Sequence, residues 1–209
     1  MDRVLYILSN ALSILLHPIF IPTYGMIMYI ATMQFRFTSL PTTYMLLCLG
    51  GTFILTSVIP LVLIMLLKKH GQISSFQLSN AKERTTPYIY TLICFGFWCF
   101  FLKVSMRLPL VLFVVAIGAT IAILLITIVN HWWKISAHHT AMGGLLGGIC
   151  SIALTYSILP TTLIICTLVI SLLLMYARLY VNAHTPLQVV CGYILGLIFT
   201  SIPTLIIHA

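Results

Sequence analysis

The chain has 209 residues, of which 61% are hydrophobic and only 6% charged, with a mean hydropathy of +1.17. That composition excludes a soluble globular domain and marks an integral membrane protein. Ten Lys and Arg stand against two acids, Asp2 and Glu83, for a formal net charge of +8; with no soluble basic face to offer, the chain is not read as a nucleic-acid binder, and its cations belong at the membrane surface, against anionic headgroups or an anionic substrate.

Apolar runs of about 20 residues, the length that crosses a bilayer, predict seven spans at roughly 8–32, 43–67, 88–104, 109–130, 140–159, 161–177 and 187–207. The fold class is therefore all-α, a polytopic transmembrane bundle of six to seven spans. It forms a single domain over 1–209, because no joint is long enough to hold a soluble one. The opening stretch MDRVLYILSNALSILLHP lacks a small-residue cleavage site and reads as the first span. His17, with Pro18 and Pro22, marks a kink within it. Lys68 and Lys69 read as a membrane-edge anchor ahead of the longest joint, Lys68 to Pro87. Trp132 and Trp133 form an interfacial aromatic belt beside Lys134, a headgroup anchor. GGLLGG, Gly143 to Gly148, signals close helix packing. The six cysteines, Cys48, Cys94, Cys99, Cys150, Cys166 and Cys191, lie in apolar runs without C-x-x-C spacing and read as small buried hydrophobes.

Alternating spans place the joints after the second, fourth and sixth on one face. These hold AKERTTP, HWWKISAHHT and ARLYVNAHTP, so Lys82, Arg84, Lys134, Ser136, His138, His139, Arg178 and His184 converge there. The opposite joints hold Arg36, Lys103 and Arg107 without a histidine nearby.

Several cations, histidines and a serine, with almost no carboxylate, disfavour a hard-metal site, which wants carboxylate oxygens; no metal or cofactor is expected. Phosphate suits the set better. Arginine offers a planar fork to phosphate oxygens, lysine a point charge, and the first amides of a helix further donors. In AHTPLQ, Thr185 is placed to cap a helix, Pro186 to be its first residue and Gln188 its third, a capping box. His184 then sits just before a helix N-terminus, where negative charge is favoured. In KISAHHTAMGG, Ser136 is placed to cap the helix that follows it.

These residues resemble the type 2 phosphatidic acid phosphatase superfamily, whose signatures read K-x6-R-P, P-S-G-H and S-R-x5-H-x3-D. Arg178, His184 and Gln188 match the third, with Gln in place of Asp; Ser136 and His138 match the second, as ISAH. The first is represented by KERTTP, with Arg84, Lys82 only two residues before it and Pro87 three after; Gln77 stands where the family's lysine would fall. The resemblance covers roughly Lys82 to Gly196, with the motifs within 82–188. It implies a metal-independent phosphatase that dephosphorylates a lipid phosphate or pyrophosphate through a phosphohistidine. His184 would be the nucleophile, His138 the general acid and Gln188 the partner orienting His184. Arg178, Arg84, Ser136 and Lys82 would hold the phosphate. It further implies a bacterial inner membrane with the site on the extracytoplasmic side; Arg3, Lys68 and Lys69 balance Arg36, Lys103 and Arg107, so charge alone gives no orientation.

Other readings stay open. One is a catalytically inactive relative that binds lipid phosphates; another is a small transporter, against which the polar residues gather at joints on one face. A haem-binding bundle would want histidines within the apolar layer. His139 reads as an interfacial polar residue, and Gln188 as either the orienting partner of His184 or only the closing half of the capping box.

Overall fold

The computed structural model describes residues 2–36, 40–74 and 82–208, with the side chains of Arg36, Lys82, Ile207 and His208 excepted. Among the described residues there are nine α-helices and no strand: α1 (Arg3–Leu15), α2 (Ile21–Arg36), α3 (Thr42–Phe53), α4 (Ile59–Lys69), α5 (Thr85–Phe100), α6 (Leu110–Val129), α7 (Ala137–Thr155), α8 (Thr161–Tyr180) and α9 (Pro186–His208). A 3₁₀ turn, Pro18–Phe20, joins α1 to α2, and π-helical turns at Ile54–Val58 and Phe101–Ser105 join α3 to α4 and extend α5.

Six helical stretches are long and apolar enough to cross a membrane: Arg3–Phe35, Thr42–Lys69, Thr85–Ser105, Leu110–Val129, Thr161–Tyr180 and Pro186–Ile206. The protein is thus an all-helical integral membrane bundle. The seventh expected span, 140–159, corresponds to α7. His138, His139 and four glycines lower its apolarity, and it lies inside the bundle, packed on α2, α6, α8 and most extensively α9. Its glycines explain how. A Cβ on Gly143 would meet the backbone carbonyl of Tyr193, and one on Gly196 that of Thr140, so α7 and α9 pack backbone against backbone.

The first span breaks at His17. Pro18 has no amide hydrogen and pushes the preceding residue out of helical geometry; His17 is extended, at φ −62° and ψ 138°. α1 packs along α8, and the Asp2 amide donates to the Tyr180 hydroxyl at 2.9 Å. The start of α1 and the end of α8 therefore share one end of the bundle, as the alternation of spans requires. Large apolar side chains such as Leu8, Ile14, Phe97 and Leu172 point outward, the arrangement a lipid environment stabilises. Cys48 and Cys94 are buried as expected, but Cys166 is on the outward face of α8, where a thiol sits as readily among lipid tails as in a core.

Candidate active site

The three histidine- and arginine-bearing joints meet at one end of the bundle, around a cavity of about 790 Å³. Arg84, His138, Arg178 and His184 line it. Arg84 closes the 3₁₀ turn Lys82–Arg84 and precedes α5 at its N-cap position without a side-chain cap bond; it is buried and hydrogen-bonds Tyr88 one turn on. Arg178 lies in the last turn of α8, where the helix dipole favours a cation. It is only 8% exposed, and its Nε has no hydrogen-bond partner. Neither Asp2 nor Glu83 lines the cavity. Asp2 caps α1 through the Val4 amide, and Glu83 accepts two bonds from Ser74 at 2.8 Å each.

The capping box forms as the spacing predicts. The Gln188 amide donates to the Thr185 hydroxyl at 3.4 Å, and the Thr185 amide donates to Gln188 Oε1 at 3.1 Å. The same Oε1 lies 3.2 Å from His184 Nδ1. An amide oxygen only accepts, so Nδ1 carries the proton and Nε2 keeps its lone pair. Gln188 therefore does both things the sequence left open, closing the cap and orienting His184. Burial holds the His184 imidazole far below its usual value, at about 3, with Arg178, Arg84 and Lys134 pushing the same way and the Gln188 hydrogen bond opposing. The ring is neutral across the physiological range. Lys134 is half-buried and does not line the cavity; burial, then Arg84 and Arg178, lower its pKa.

His138, in the first turn of α7, places Nε2 3.0 Å from the Ser13 carbonyl of α1. A carbonyl only accepts, so this nitrogen donates and Nδ1 is the one left to exchange a proton. Ser136 occupies the N-cap position of α7 but makes no side-chain cap bond. Its hydroxyl is 3.2 Å from His139 Nδ1, its amide donates to the Gln188 carbonyl at 3.2 Å, and it is fully buried outside the cavity lining. His139 is likewise buried, not interfacial. The pair forms a polar support behind the site, tying the start of α7 to the first turn of α9. The Lys82 side chain lies outside the described residues.

Two residues enter that the motif pattern did not mark. Tyr88 lines the cavity one turn beyond Arg84, a spacing visible in the sequence. His17 also lines it, with its ring edge-on to that of His138 at 5.5 Å and 80°, and its buried Nδ1 has no hydrogen-bond partner. The kink at Pro18 was legible; that it delivers His17 to His138 depends on how α1 crosses the bundle.

No family model, curated protein or solved structure matches the chain.

Two buried guanidiniums, a neutral imidazole with a defined lone pair and a second imidazole with an exchangeable nitrogen can bind an oxyanion and exchange protons with it. Among the described residues no three His, Cys, Asp or Glu side chains group as a metal site.

Proposed function

We propose that this protein is a membrane phosphatase that removes a terminal phosphate from a lipid, without a metal, through a phosphohistidine on His184. The observation that carries the reading is the fixed tautomer of His184: Nδ1–H held by Gln188, with Nε2 unprotonated in a cavity lined by Arg178 and Arg84. The Nε2 lone pair attacks phosphorus as the bond from phosphorus to the lipid oxygen breaks, and the departing alkoxide takes the proton that His138 carries on Nδ1 in its imidazolium form, while Nε2–H stays on the Ser13 carbonyl. The oxygen of a water then attacks phosphorus, giving its proton to His138 Nδ1, the phosphorus–Nε2 bond breaks, and phosphate leaves with the Nε2 lone pair restored. Arg84 and Arg178 stabilise the charge spread over the equatorial oxygens, which is most of what phosphoryl transfer asks of a protein.

Gln188 brings orientation without charge, so the imidazolium-like transition state lacks a carboxylate. That favours one second reading, a lipid-phosphate binder without turnover. In the proposed arrangement the protein sits in a bacterial inner membrane with this face outward. Phosphate release by purified protein over a panel of lipid phosphates, with EDTA present, tests the function. Release that survives EDTA and disappears in His184→Ala is the expected result. Saturable lipid-phosphate binding with no release from any lipid would replace the phosphatase by the binder.

A further inference from the structure

The way α1 ends fixes the orientation of His138. A helix leaves its last four carbonyls without an amide from its own continuation, and in α1 each of the four has a donor. The Leu12 carbonyl accepts from the Leu16 amide at 2.9 Å and the Ile14 carbonyl from the His17 amide at 3.2 Å. The Leu15 carbonyl accepts from the Tyr24 hydroxyl of α2 at 2.9 Å. The Ser13 carbonyl accepts from His138 Nε2, across the bundle on α7, at 3.0 Å.

This distribution follows from Pro18. In an uninterrupted α-helix the His17 amide would reach the Ser13 carbonyl, and the amide of residue 18 would reach Ile14. Proline has no amide hydrogen and disfavours helical geometry in the residue before it. Leu16 accordingly leaves helical geometry at φ −96° and ψ 31°, and His17 is extended. The His17 amide is thereby carried one residue along, from Ser13 to Ile14, in the tighter bond that commonly closes a helix end. Ile14 is satisfied although Pro18 has nothing to donate, and Ser13 becomes the carbonyl left over. Ser13 is buried, so its carbonyl needs a partner from another element.

We propose that Pro18 is a positioning residue for His138: by breaking α1 it turns the Ser13 carbonyl into the acceptor that fixes the His138 tautomer. A carbonyl cannot donate, so Nε2 keeps its hydrogen and the proton exchanged in turnover is confined to Nδ1. The same break sets the His17 ring edge-on to that of His138, at 5.5 Å and 80°, a second contact against rotation of the imidazole. The end of α1 therefore does for His138 what Gln188 does for His184. That His138 is the acid of the reaction rests on the phosphatase reading; its orientation by α1 does not.

The tautomer is measured without turnover, from nitrogen NMR of the labelled protein in detergent at mildly alkaline pH, with His138→Gln identifying the signals. In the wild type Nε2 should carry the hydrogen and Nδ1 should not. Pro18→Ala restores an amide for Ile14 and lets the His17 amide return to Ser13, so the variant should show a mixture of the two tautomers. In turnover the informative quantity is kcat/KM, which covers the steps through departure of the leaving group. Pro18→Ala should lower it about tenfold or more for a lipid phosphate, whose alkoxide needs the acid. For nitrophenyl phosphate, whose phenolate leaves without a proton, it should stay within about threefold. His184→Ala, by contrast, should abolish both. Should Pro18→Ala fail to fold, exchange of Ile14 for its α-hydroxy acid makes the Ser13 carbonyl an ester and a weaker acceptor, and the same shift toward a mixture is expected. Nδ1–H in the wild type, an unchanged tautomer in the folded variant, or equal loss on the two phosphates overturns the proposal. The expected tautomers without release of phosphate from any substrate keep the positioning of His138 and remove the phosphatase.

Discussion

Gln188→Leu isolates the contribution of the amide oxygen that holds His184. Leucine has similar bulk but no acceptor, so it removes the bonds to His184 Nδ1 at 3.2 Å and to the Thr185 amide at 3.1 Å. His184 is 8% exposed, and stranding a donor on it costs about 1–3 kcal/mol. Loss of the box side of the cap adds about 1 kcal/mol, so the folded protein should lose roughly 2–4 kcal/mol. The catalytic effect follows from orientation. About 2–3 kcal/mol of lost fixation corresponds to a fall in kcat of roughly 30–150-fold. KM should move little, because Arg84 and Arg178 are untouched. The assay is phosphate release in EDTA, with kcat and KM resolved separately and folding checked by thermal unfolding. A folded Gln188→Leu protein with kcat within about threefold of wild type would refute the claim that Gln188 sets the His184 tautomer.

Gln188→Glu keeps the acceptor and adds charge. At about 3 Å and an effective dielectric of about 20 the new carboxylate favours the imidazolium by about 5.5 kcal/mol, so the acid limb of kcat/KM should rise by roughly four pH units, and an unmoved limb would mean His184 is not the titrating group. The native His184 is held at about 3 by burial and the neighbouring cations, while an unfolded histidine titrates near 6.5; between those values the unfolded chain binds more protons. Stability should be complete above about pH 6.5 and fall toward pH 3 by up to ~1.4 kcal/mol per pH unit, and melting curves of His184→Gln should show a shallower fall. Arg178→Lys keeps the charge but not the planar fork, and should weaken inorganic phosphate or vanadate binding at least tenfold by calorimetry. Gly196→Val drives a side chain into the Thr140 backbone and should destabilise the protein by about 1–3 kcal/mol or more, read from thermal unfolding.

What the sequence determined alone was whatever depends on neighbours along the chain. Span positions follow from apolar content over about 20 residues, and the expected ends fall within a few residues of the observed helices. Counting spans was enough to bring the joints of Arg84, His138 and Arg178 to one face. The Thr185–Gln188 box was equally legible, since its partners are three residues apart, and so was the break at His17. Only the tertiary structure decided which groups meet across the bundle. The ISAH motif marked Ser136 and left His139 as interfacial, yet packing of α7 on α9 turned the Ser136 hydroxyl to His139 and buried both. His17 meets His138 because α1 lies along α8 and brings the Ser13 carbonyl over α7. The cavity, too, is space left between helices that the apolar pattern makes alike. Hydrophobicity states that a helix will be among apolar neighbours; side-chain shape and close backbone approach decide which neighbours, and what room remains between them.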